Sequence, residues 1–173
     1  TIVNELKKPV SLRLQLYFYE IGRSTFKMVV RGFPALLAGI LFLGVRVPGF
    51  STGLLFLLSL FFTLNLAIAI SYATSMLVFW TKVGWSLRMM RTMAAGLLSG
   101  AMIPLYLVPE GIRNVFYLTP FPWMVDGPIS IYQGTASGAF HVFATQIIWI
   151  IILFVIAELL WRKAKRKLTV QGG

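Results

Sequence analysis

Hydrophobic residues run through this chain in long blocks, with the polar residues gathered between them. The longest block, residues 54–80, reads LLFLLSLFFTLNLAIAISYATSMLVFW and carries no charge. It is apolar on every side, the pattern of a helix surrounded by lipid or protein rather than water. Its length crosses a bilayer with some tilt. A second block, residues 139–161, is nearly as clean, with Glu158 close to its end. Two weaker blocks cover residues 24–46 and 92–108. The pattern therefore predicts an all-α, polytopic membrane protein with four spans. A turn at Pro48-Gly49 follows the first span.

The first span is short of apolar residues. Phe33 to Val45 is 13 residues, roughly 20 Å of helix, against about 30 Å of hydrocarbon. Arg23, Lys27 and Arg31 precede it four apart, on one helix face. Lys27 and Arg31 must snorkel at the boundary or face a polar cavity. In the second span, Asn65 and Tyr72 share roughly one face. They either line a translocation path or, for Asn65, bond a neighbouring helix. Gly96 and Gly100 form a small-xxx-small pair that would let another helix approach the third span. Glu158 and Arg162 are spaced to pair at i, i+4.

Residues 109–138 fit neither a span nor a solvated loop. Pro109, Pro120, Pro122 and Pro128 break any long helix, yet the segment is rich in aromatics and aliphatics. Its two apolar pieces, GIRNVFYL (111–118) and PWMVDGPISIY (122–132), are each too short to cross. Irregular backbone sits at membrane depth only where protein or a water-filled cavity covers it. Two arrangements satisfy this: a pair of short helices dipping into the outer leaflet against the bundle, or a loop lying flat among the headgroups.

Composition agrees with the pattern: 58% of the 173 residues are hydrophobic and 12% charged, against about 25% charged in soluble domains. The net charge of +11 would suggest nucleic acid in a soluble protein, but its distribution points elsewhere. With four spans, fourteen Lys and Arg fall on one side and two, Arg46 and Arg113, on the other. The positive-inside rule makes both ends and the loop 81–91 cytoplasmic and puts 109–138 outside. The basic tail, residues 162–173, then lies in the cytoplasm. There is no cysteine and a single histidine, His141, so no thiolate or His-cluster metal site is expected. No P-loop, H-E-x-x-H or G-x-S-x-G occurs, so neither catalysis nor a cofactor is expected of this chain.

Residues 99–134, SGAMIPLYLVPEGIRNVFYLTPFPWMVDGPISIYQG, and the tail ELLWRKAKRKLTVQGG (158–173) resemble the permease subunits of bacterial ATP-binding-cassette exporters of the type-2 family. The small-residue run, the spaced prolines, the P-F-P and the closing I-Y-x-G look like the segment between the fifth and sixth spans of those permeases. Such permeases usually have six spans; the two not seen here would precede Thr1. The resemblance implies export of an amphiphilic, drug-like or lipid-like substrate across the bacterial inner membrane. It also implies an ATP-binding-cassette ATPase partner and a second permease copy or homologue. Within residues 1–23 it assigns a coupling role to Glu5, Leu6, Lys7, Lys8, Pro9, Leu12, Arg13 and Leu16; the alternative for this stretch is an amphipathic helix resting on anionic lipid. It makes Pro109, Phe116, Pro120, Phe121 and Trp123 an outer gate, and Arg31, Asn65 and Tyr72 candidates for the path. The rivals are an ATP-independent secondary transporter and a membrane subunit that transports nothing.

Overall fold

The computed structural model describes residues 12–81, 83–135 and 138–171, which are helical with short connections and contain no strand. They fall into two units divided between Val47 and Pro48.

The first unit is one helical run: α1 (Leu12–Lys27), a π-helical turn (Met28–Gly32) and α2 (Phe33–Phe42). The cause of the π turn is Pro34. Proline has no N–H to donate and its ring crowds the carbonyl four residues back. The chain widens instead, and Phe33 N–H bonds Met28 O. Arg31 lies in this turn, exposed. At the end of α2, Gly44 adopts the left-handed conformation (φ 64°), which lets the amides of Leu43 and Val45 both return to Gly39 O.

The expected division into an interfacial helix before residue 24 and a span after it is therefore not observed. Nothing between Leu12 and Phe42 stops the helix, and a single segment, Tyr17–Phe42, is long and apolar enough to cross a membrane. Glu5, Leu6, Lys7, Lys8 and Pro9 lie outside the described residues. Leu12, Arg13 and Leu16 belong to α1, but their side chains are likewise not described.

The second unit contains α3 (Phe50–Thr81), α4 (Gly84–Leu98), a 3₁₀ turn (Leu105–Leu107), α5 (Glu110–Tyr117), α6 (Pro122–Gln133) and α7 (Ala139–Gln171). Helices α3 and α7 pack along each other, and Phe50–Val78 and Ala139–Lys163 are its two segments long and apolar enough to span. Helix α6 lies against both, and the core forms where the three meet: Leu66 and Ile70 of α3, Trp123 and Ile131 of α6, and Val142 of α7.

The expected span at 92–108 is not one continuous helix. Helix α4 begins eight residues earlier, at Gly84, and stops at Leu98. Its 15 residues reach roughly 22 Å. Gly100, at φ 85°, turns the chain out of the helix, and Met102 N–H bonds back to Gly96 O. Pro104, held in extended backbone (ψ 131°), prevents resumption.

Candidate functional site

The proline-rich segment folds as two short helices. Pro109 sets extended backbone (ψ 140°) just before α5. Pro120 lies in the link between the helices, and Pro122 opens α6 at a position where a missing N–H has no consequence. Gly134, left-handed at φ 70°, closes α6. Pro128 is inside α6 and deprives Met124 O of its in-helix donor. Helix α5 is tied to α6 through Tyr117. Its hydroxyl donates to Asp126, its carbonyl accepts from Trp123 Nε1 at 3.2 Å, and the two rings lie 5.4 Å apart. Burial, reinforced by the Asp126 carboxylate, pushes the Tyr117 phenol far above its ordinary range.

Helix α6 is wedged lengthwise between the two long helices. Gly127 makes this possible: a Cβ there would sit 3.0 Å from Val142 Cγ1. Near the far end of α6, Tyr132 meets Phe56 at 5.1 Å, edge to face. At the near end Trp123, 9% exposed, contacts the His141 ring edge at 5.3 Å.

The polar centre of this wedge is Gln146 of α7, fully buried. Its Nε2 lies 2.9 Å from Trp123 O, 3.1 Å from Thr63 Oγ1, 3.2 Å from Ser59 Oγ and 3.4 Å from Ser59 O. Its Oε1 accepts from Ser59 Oγ at 3.4 Å. One amide thus joins α3, α6 and α7. Thr63 is thirteen residues into α3 and Gln146 seven into α7. At the helical rise these are roughly 20 Å and 10 Å from the helix starts, so the first turn of α6 lies well down the length of both long helices.

The other expected site residues are distributed as follows. Phe116 and Phe121 are half-buried, and Phe121 packs on the core. Asn65 Nδ2 donates to Phe61 O at 2.8 Å, within α3. Tyr72 is buried, its ring 6.0 Å from Phe154 of α7. Gly96 and Gly100 lie against residues that follow their own helix. A Cβ on Gly96 would meet Met102 Sδ at 2.9 Å, and one on Gly100 would meet Leu105 Cγ at 3.0 Å; both glycines serve the end of their own helix. Arg162 Nε and Glu158 Oε1 pair at 3.2 Å, as their spacing indicates.

The family is decided by the sequence over nearly its whole length. Residues 2–172 match the family described as ABC-2 family transporter protein. The chain belongs to the ABC-2 transporter family. It is a multi-pass membrane protein, a transmembrane permease component that works with an ATP-binding-cassette subunit. No curated protein and no solved structure gives a significant match.

Sequence reasoning about this ABC-2 permease overlooked Gln146, Ser59 and Thr63. The available signal was a lone amide in an otherwise apolar span, with Ser and Thr one turn apart in another. Polar side chains at such depth find partners inside the bundle. Arg91 was overlooked too. Counted only as a loop charge, it donates from α4 to the buried Ser71 of α3.

Proposed function

We propose that this chain is the permease subunit of an ATP-driven exporter, and that the α5–α6 hairpin is its outer gate. The observation that carries the reading is the seating of the first turn of α6 beside Thr63 and Gln146. A loop lying flat among headgroups would not reach that far along α3. Prolines give the hairpin its broken path, and apolar side chains allow it to sit at membrane depth.

Two permeases pair, each docked on its own ATP-binding subunit, in a bacterial inner membrane. The basic ends lie in the cytoplasm, by the charge asymmetry. The segment Gly84–Val108 crosses as a broken span, with α4 as its inner part. Closure of the ATP-binding subunits acts on residues 4–20 and on the short link between α3 and the start of α4. The apolar residues of the hairpin seal the path between transport events. The cargo is amphiphilic, in keeping with spans that hold few charges. Lys7, Lys8 and Arg13 meet acidic residues of the ATP-binding partner, and Leu6, Leu12 and Leu16 supply apolar contact.

The test is purification of the full-length protein in mild detergent with mass spectrometry of what remains bound. A P-loop ATPase should be recovered, and replacement of Lys7, Lys8 and Arg13 by Glu should uncouple its ATP hydrolysis from export. A preparation free of ATPase, or unchanged export by the charge-reversed variant, would overturn the reading.

A further inference from the structure

Gln146 has fewer protons than partners. A backbone carbonyl cannot donate, so the amide atom 2.9 Å from Trp123 O is the nitrogen. Nε2 carries two protons, yet four oxygens lie within 3.4 Å: Trp123 O, Thr63 Oγ1, Ser59 Oγ and Ser59 O. The two shortest, to Trp123 and Thr63, use both protons. Ser59 Oγ then donates its own proton to Gln146 Oε1. Both amide protons of Gln146 and the hydroxyl proton of Ser59 are then used, and spare acceptors remain.

That surplus has a consequence for motion. If α6 withdraws, the Gln146 N–H that bonds Trp123 O turns to an oxygen of Ser59, and that buried N–H is not left bare. Trp123 O in turn keeps the donor its own helix supplies, Gly127 N–H, by the i→i−4 rule. An unsatisfied buried donor is what ordinarily makes such a separation expensive. The two ends of the exchange are on different elements: Trp123 on the wedge, Ser59 on the long helix α3. Other contacts of α6 with the two long helices include an aromatic pair, Tyr132 on Phe56, and the close approach of Gly127 to Val142.

We propose that Gln146 is the positioning residue of the outer gate, an amide that holds the first turn of α6 between α3 and α7 and releases it by switching one Nε2–H hydrogen bond from Trp123 O to an oxygen of Ser59. The idea rests on the gate reading of the hairpin for its role in transport, while the holding itself does not depend on that reading.

Residues 1–173 hold no cysteine, so engineered pairs within them report cleanly once any cysteine elsewhere in the complex is replaced. In the full-length protein with its ATP-binding partner, Phe56→Cys with Tyr132→Cys reports α6 on α3. Phe62→Cys with Phe143→Cys, rings 5.8 Å apart, reports α7 on α3. Gln146→Leu should lower cross-linking of the first pair by about fivefold, the equilibrium equivalent of one hydrogen bond, and leave the second unchanged. Ser59→Ala removes a competing acceptor and should act oppositely, raising cross-linking of the first pair and slowing export. A residue that merely supports the fold would lower both pairs in both variants.

Gln146→Leu with the first pair unchanged, or both pairs lost in both variants, would overturn the proposal. The gate reading is tested separately by nucleotide in the Gln146 background. If the first pair ignores nucleotide there while Gln146→Leu still loosens it, the gate reading falls and Gln146 remains a fixed clamp.

Discussion

Gly127 and Tyr117 set tight tolerances at single positions of the wedge. Alanine at Gly127 would bring a Cβ within 3.0 Å of Val142 Cγ1. Overpacking of this kind costs about 1–3 kcal/mol. Gly127→Ala should therefore lower the unfolding temperature in detergent, and adding Val142→Ala should restore most of the loss; no rescue would mean that the two helices do not meet there. Tyr117 makes a prediction in pH. Unfolded, it loses its proton at about pH 10. Folded, burial and Asp126 hold the proton on to higher pH. The stability this difference carries is complete below about pH 10 and declines as the pH rises above it. Spectroscopic titration should find Tyr117 among the last tyrosines to ionise, and Tyr117→Phe should remove that late step.

At the scale of elements, helix ends decide more than helix interiors. Composition alone does not distinguish a span at 92–108 from a helix at 84–98, because apolar residues continue past Leu98 through Ile103, Leu105 and Leu107. What stops α4 is the left-handed Gly100. A residue with a Cβ in that conformation costs roughly 1–2 kcal/mol, and here its Cβ would also press on Leu105. Gly100→Ala should destabilise the 99–108 segment, visible as faster amide exchange there, whereas Gly96→Ala should be absorbed by the flexible Met102 side chain. Equal effects at the two sites would contradict this account. Pro34 shows the converse: a residue that ordinarily ends a helix is carried inside a continuous run by a π turn.

For the whole molecule, the informative contrast is between buried and unburied apolar surface. Leu54, Leu57 and Phe61 on α3, and Ile148, Ile151 and Val155 on α7, remain exposed. In a membrane permease such faces meet lipid or a second permease, so their exposure is no defect. Motion of the hairpin can be followed at this scale. Single cysteines replacing Phe116, half-buried, and Trp123, buried, should change their access to a water-soluble label when nucleotide binds the ATP-binding partner, with the larger change at Trp123. Labelling indifferent to nucleotide at both sites would mean a passive hairpin.

The all-α class, the long helices at 54–80 and 139–161, the proline-broken character of the segment after Pro109 and the family resemblance were all legible in the sequence. Each is written locally: a run of apolar residues long enough to cross, or a proline that removes a donor wherever it stands. The i, i+4 pairing of Glu158 with Arg162 was legible for the same reason. Which polar residues meet across the bundle was not. Asn65 and Gln146 look alike in sequence, each a lone amide in an apolar helix. Only the packing of α3, α6 and α7 gives Gln146 partners on two other helices and leaves Asn65 to bond its own. Rotation of a helix about its axis, and the depth at which a short helix docks, depend on surfaces brought together from distant parts of the chain. Tertiary structure alone decides them.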